Sequence, residues 1–123
     1  MFTRVPSILS ISYEEPLLRT RHWILETAGF KVTSALGLAQ AAEYCQTRCF
    51  DLVIIGHSIP IKDKKTLLAL VQDQNRTRVL SLLRPGETPV PGVYHSIETS
   101  EGPAALVAAV QKALVTKGSS DLN

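Results

Sequence analysis

The chain has 123 residues, 45% of them apolar, with a formal charge of +2. That length suits one ordinary domain and is short for two. Lysine and arginine are scattered without a basic stripe, no apolar run reaches the length of a membrane span, and the Met-Phe-Thr-Arg start has no long apolar segment; nucleic-acid, membrane and secretory readings are set aside, and the cytoplasm is the expected compartment.

"SILSIS" (Ser7 to Ser12) is a short apolar run that reads as a strand. Pro16 opens "PLLRTRHWILETAGF", where its missing N–H costs nothing in a first helical turn. Leu18, Ile24, Leu25 and Ala28 recur at helical spacing, and Gly29 stops the helix. Trp23 in the middle of this helix reads as a half-buried core edge, ahead of a partner-facing anchor. "KVTSA" (Lys31 to Ala35) is a second strand, and "LAQAAEYCQTR" (Leu38 to Arg48) an Ala-rich helix. Cys45 and Cys49 lie four apart, so on one helix they would share a face. With no further ligands at metal spacing, they read as a small apolar residue and an incidental thiol rather than a thiol switch or half a metal site.

"DLVIIG" is a third strand, apolar throughout, as a strand covered on both faces must be. "DKKTLLALVQDQ" (Asp63 to Gln74) is a helix with Leu67, Leu70 and Val71 inward and its lysines outward. "RVLSLL" (Arg78 to Leu83) and "GVYHSI" (Gly92 to Ile97) are strands four and five. "PAALVAAVQKAL" (Pro103 to Leu114) is the closing helix, with Val107, Val110 and Leu114 inward. The order implies right-handed parallel βαβ units, with helices on both faces of one sheet. One helix is missing. "RPGETPVPG" (Arg84 to Gly92) holds three prolines and two glycines, so a loop or a single turn is expected there.

The phrases "ILSISYEEPLLRTRHWILETAGFKV" and "FDLVIIGHSIP", and the order of elements around them, resemble the receiver domain of bacterial two-component response regulators. The resemblance covers about 110 residues and implies an α/β, doubly wound, flavodoxin-like fold: a five-stranded parallel sheet of order 2-1-3-4-5. Here its fourth helix is missing or reduced to a turn. Residues 1–116 would form the domain and 117–123 a flexible polar tail.

The family's functional positions carry over one at a time. The Mg²⁺-binding acidic pair falls on Ser12 and Tyr13, with Glu14 beside them. The phosphoacceptor aspartate falls on Gly56. The Ser or Thr that ends strand four falls on Leu83, and the lysine after strand five falls near Glu98. Tyr94 or His95 is the counterpart of the aromatic switch residue. Mg²⁺ requires several hard oxygen ligands, and phosphoryl transfer requires an oxygen nucleophile with charge neutralisation. Neither is supplied, so no catalytic residue, metal or cofactor is expected. Asp51 stands about 15 Å away at strand rise and is no substitute.

The carboxyl ends of the strands should form a rim of Ser12, Tyr13, Glu14, Gly56, His57, Ser58, Leu83 and Arg84. A hydrolase reading lacks the G-x-S-x-G elbow, and a nucleotide reading lacks a glycine-rich phosphate loop. A small anion held by Arg84 and His57 is an alternative ligand. His57 reads as a loop histidine bonded to backbone, with a pH sensor as the alternative. The sequence therefore suggests a pseudo-receiver that acts by protein–protein interaction, without enzymatic activity or an output domain of its own. Its partner would be a histidine kinase or a downstream regulator. Docking alone to a histidine kinase, and small-ligand sensing by the old pocket, are the competing readings.

Overall fold

A computed structural model describes residues 5–72 and 77–121. The elements run β1 (Ser7–Ser12), α1 (Glu15–Thr27), β2 (Lys31–Leu36), α2 (Leu38–Thr47), β3 (Leu52–Ile55), α3 (Ile61–Gln72), β4 (Arg78–Leu83), β5 (His95–Glu98), a 3-10 turn (Thr99–Glu101) and α4 (Gly102–Asp121). All strand pairs are parallel, in the order β2-β1-β3-β4-β5. This is the doubly wound sheet expected from the sequence.

Strand alternation divides the core between the two faces. Leu9, Ile11, Val53, Ile55 and Val79 pack with Ala41, Cys45, Leu67 and Val71, on the side of α2 and α3. Ile8, Leu52, Ile54, Leu80 and Leu82 pack with Leu25, Leu106 and Val110, on the side of α1 and α4. β3 is buried at every position, which explains its unbroken apolar run.

Among the described residues no helix joins β4 to β5. The connection begins as a type II turn. Arg84 O accepts the Glu87 N–H at 3.0 Å, Pro85 sits at the second position, and Gly86 takes φ +83° at the third. Val90 then anchors the loop in the core.

Several boundaries differ from expectation. α3 begins at Ile61, directly after Pro60, and Asp73 and Gln74, expected to end it, lie outside the described residues. β5 begins only at His95, because the segment before it is spent on the loop. α4 runs on to Asp121, so residues 117–121 of the expected tail are helical, while 122 and 123 lie outside the described residues. Cys45 is buried in the core, and Cys49 is exposed beyond the end of α2, so the two thiols do not share a helix face.

Two expectations about side-chain direction are corrected. Lys64 points inward and is 1% exposed, whereas Lys62 and Lys65 face out. Lys64, Leu67, Leu68 and Val71 form one buried stripe at helical spacing. Trp23 is 68% exposed, not half-buried, because Arg21 rather than Trp23 takes the inward position between Leu18 and Leu25.

Candidate functional site

The carboxyl ends of β1 and β3 bring Ser12, Tyr13, Ser58 and Gly56 together. Ser58 Oγ accepts the Tyr13 N–H at 2.9 Å and lies 3.1 Å from Ser12 Oγ. Ser12 Oγ in turn accepts the Glu14 N–H at 3.1 Å. The Tyr13 hydroxyl donates to Asp63 at 2.8 Å, and burial together with that carboxylate pushes the phenol upward from its ordinary pKa. The polar groups at this end of β1 are therefore bonded to one another, and Glu14 is exposed.

Gly56 follows β3 and turns toward α1. A Cβ built on it would lie 2.8 Å from Arg21 Nη2 and 2.8 Å from the Ile11 carbonyl oxygen, closer than real Cβ atoms approach. Arg21 reaches this seam from the buried face of α1. Its Nη1 donates to Ser10 Oγ and to Ile11 O, both at 3.1 Å, and Ile11 O also accepts the Gly56 N–H at 2.9 Å. Burial lowers the Arg21 pKa to about 10, so the guanidinium stays charged at neutral pH. Where the resemblance places an acidic nucleophile, the chain has a glycine backed by a buried cation.

A second buried cation comes from the other face. Lys64 Nζ donates to Ser81 Oγ at 3.2 Å, Leu82 O at 3.0 Å and the Glu87 carboxylate at 3.1 Å. Glu87 also accepts the Arg84 N–H at 2.9 Å. Burial alone would raise the Glu87 carboxyl, but the Arg84 amide and the Lys64 ammonium outweigh it and hold the pKa low. Lys64 thus ties the loop after β4 to α3.

The remaining expected positions are spread out. Leu83 is a core residue paired with Glu98 across β4 and β5. Glu98 is exposed and caps the 3-10 turn through the Glu101 backbone. Arg84 is exposed beside the loop turn. Tyr94 and His95 stand at the amino end of β5, about 10 Å along the strand from the rim, where the Tyr94 ring stacks on Arg78 at 4.5 Å. His57 makes no hydrogen bond to backbone among the described residues, against expectation, and its Nδ1 is buried without a partner. Burial lowers its pKa, aided by Arg84 and Arg21 and opposed by Glu14 and Glu87. Asp51 accepts the Ser7 N–H at 2.8 Å, bracing the far end of β1.

These residues do not fit Mg²⁺. Neither Ser12 nor Tyr13 has a carboxylate, the nearby Asp63 carboxylate is engaged by the Tyr13 hydroxyl, and Gly56 has no side chain and lies against the Arg21 guanidinium, which repels a cation. Among the described residues no three His, Cys, Asp or Glu side chains gather as a metal site.

Arg21 and Lys64 were missed by sequence reasoning. Their signal was present: each occupies an inward position of an apolar helical stripe, and an isolated serine interrupts the apolar strand opposite it, Ser10 in β1 and Ser81 in β4.

No protein-family model matches the sequence, and no curated protein matches it significantly. Solved structures do. A CheY-like response regulator receiver domain protein from Methanospirillum hungatei superposes with a TM-score of 0.83 at 16% identity, over 95% of this chain and 99% of that one. The signal receiver domain of an HD domain-containing protein from Pseudomonas fluorescens gives 0.81 at 24% identity, over 94% and 99%. The N-terminal domain of a response regulator/sensory box/GGDEF protein from Carboxydothermus hydrogenoformans gives 0.80 at 20% identity, over 93% and 98%. With its 2-1-3-4-5 sheet, the chain has the receiver-domain fold of two-component response regulators.

Proposed function

We propose that the chain is a pseudo-receiver: a signalling module that works by binding another protein, without phosphoryl transfer and without catalysis of its own. The observation that carries this reading is the pairing of Gly56 with Arg21, which leaves no nucleophile and puts a fixed positive charge in its place. Phosphoryl transfer depends on positioning and on metal charge at the accepting oxygen, and these residues supply neither.

Trp23 favours the first helix as the contact surface. It stands exposed on α1 beside a shallow groove formed with Glu15, Arg19, His22 and Glu26. Tryptophan is over-represented among residues that dominate interface energetics. Among the described residues no helix is long and apolar enough to cross a membrane, and the reading requires neither a membrane nor nucleic acid. The partner in this reading is a cytoplasmic histidine kinase or a downstream regulator.

The test is binding to purified histidine kinases from the same organism, measured with and without a phosphoryl donor. The reading expects the same affinity in both conditions and a loss of binding in Trp23→Ala. Binding that appears only with the donor would contradict it.

A further inference from the structure

A cleft of about 230 Å³ opens between α1, the ends of β4 and β5, and the start of α4. Its walls are apolar, built from Leu17, Ile24, Leu82, Ile97, Pro103 and Leu106. Arg21 and His57 also line it. At roughly 30 Å³ per water, the space holds several waters or one small organic molecule.

Arg21 is the unusual member. It is 5% exposed, and no carboxylate pairs with it among the described residues. Its Nη1 spends both hydrogens on Ser10 and Ile11, while Nε and Nη2 donate to no group among the described residues. A buried charge of this kind is costly unless a counter-charge and further hydrogen bonds meet it. The Nε–Nη2 edge of a guanidinium is a planar fork that matches a carboxylate with two parallel bonds.

The other charges around the cleft leave room for an anion. Glu98 borders it, but its carboxylate is directed to the Glu101 backbone N–H. α4 begins at the cleft with Gly102 and Pro103, carries no acid in its first turn, and presents the positive end of its dipole there. The buried Nδ1 of His57 has no hydrogen-bond partner among the described residues.

We propose that this cleft binds a small monocarboxylate with an apolar body, aliphatic or aromatic. Its carboxylate takes the free edge of Arg21, and its body lies against Leu82, Ile97 and Leu106. Inorganic phosphate would use the charge but leave the apolar walls unfilled. The site is separate from the protein-binding reading, since it concerns neither Trp23 nor phosphoryl transfer.

Thermal shift and calorimetry on the full chain test it with octanoate and benzoate as probes, and with octanol, octylamine and phosphate as controls. A ligand that binds only the native state raises the melting temperature. The expected result is a saturable rise with at least one of the acids and none with the controls. Arg21→Gln should weaken binding about tenfold or more, the scale of a lost charged hydrogen bond. Leu17→Trp, at a half-buried wall position outside the packed core, fills the cleft, leaves Arg21 in place and should abolish the shift even if Arg21→Gln fails to fold. No saturable shift with either acid, equal binding of octanol or phosphate, or unchanged binding in Leu17→Trp would each overturn the proposal.

Discussion

The guanidinium of Arg21 and the backbone of Gly56 meet at the seam between β1 and β3, with the Ile11 carbonyl accepting a hydrogen bond from each. Any side chain on residue 56 must displace Arg21 Nη2 or press on that carbonyl, both at 2.8 Å from its Cβ. Gly56→Ala should therefore destabilise the fold by about 1–3 kcal/mol, the usual cost of overpacking. Urea unfolding should show a lower midpoint at an unchanged slope. Removing Arg21 in the same chain should relieve only part of the loss, because the carbonyl stays. A neutral Gly56→Ala would contradict the close packing of Arg21 and the Ile11 carbonyl against this backbone.

Lys64 is the internal tie of the loop that replaces a helix. Lys64→Met keeps most of the volume but removes the ammonium from Ser81, Leu82 and Glu87. A loss of about 3 kcal/mol is expected, the low end for a broken buried pair, since Glu87 keeps some contact with water. Hydrogen exchange should speed up from Arg84 to Gly92 more than in β1 or β3. Uniform exchange across the molecule would argue against a local tie.

Acid should destabilise the protein in two steps. The pKa of His57 is lowered in the fold, so between that value and the ordinary 6.5 the unfolded chain binds more protons. The His57 contribution is present above pH 6.5 and is lost as pH falls toward the folded value. Glu87 is also lowered, so its contribution is present above its ordinary 4.5 and is lost as pH falls through the folded value. Melting temperatures from about pH 7.5 down to about pH 2.5 should fall through both windows, and His57→Gln should flatten the upper one only.

Trp23→Ala should leave stability within about 0.5 kcal/mol, as expected for an exposed position away from any cap or network. A large drop in melting temperature would mean that Trp23 supports the core rather than serving a partner.

The fold was legible because its signals are local and repeated. Alternating apolar strands and helical stripes, with proline and glycine punctuation, placed the strands and helices in order and mostly within a few residues, α4 running on past its expected end at Leu114 to Asp121, and the Pro-rich stretch from Arg84 correctly excluded a helix. The rim of Ser12, Tyr13, Gly56 and Ser58 was also legible, since strand ends in a parallel sheet converge there. Arg21 and Lys64 were not. A cation within an apolar stripe is normally solvated, and only the facing serines in distant strands show that these two are received inside. Tyr94 was misplaced for a different reason: the loop after β4 consumes residues that a longer fifth strand would have used.

The most direct measurement is intact mass after incubation with acetyl phosphate and Mg²⁺. The account predicts an unmodified chain, both for the native sequence and for Gly56→Asp, because Ser12 and Tyr13 supply no carboxylate for the metal and Arg21 occupies the adjoining space. A stable phosphoryl adduct on the native chain would contradict it.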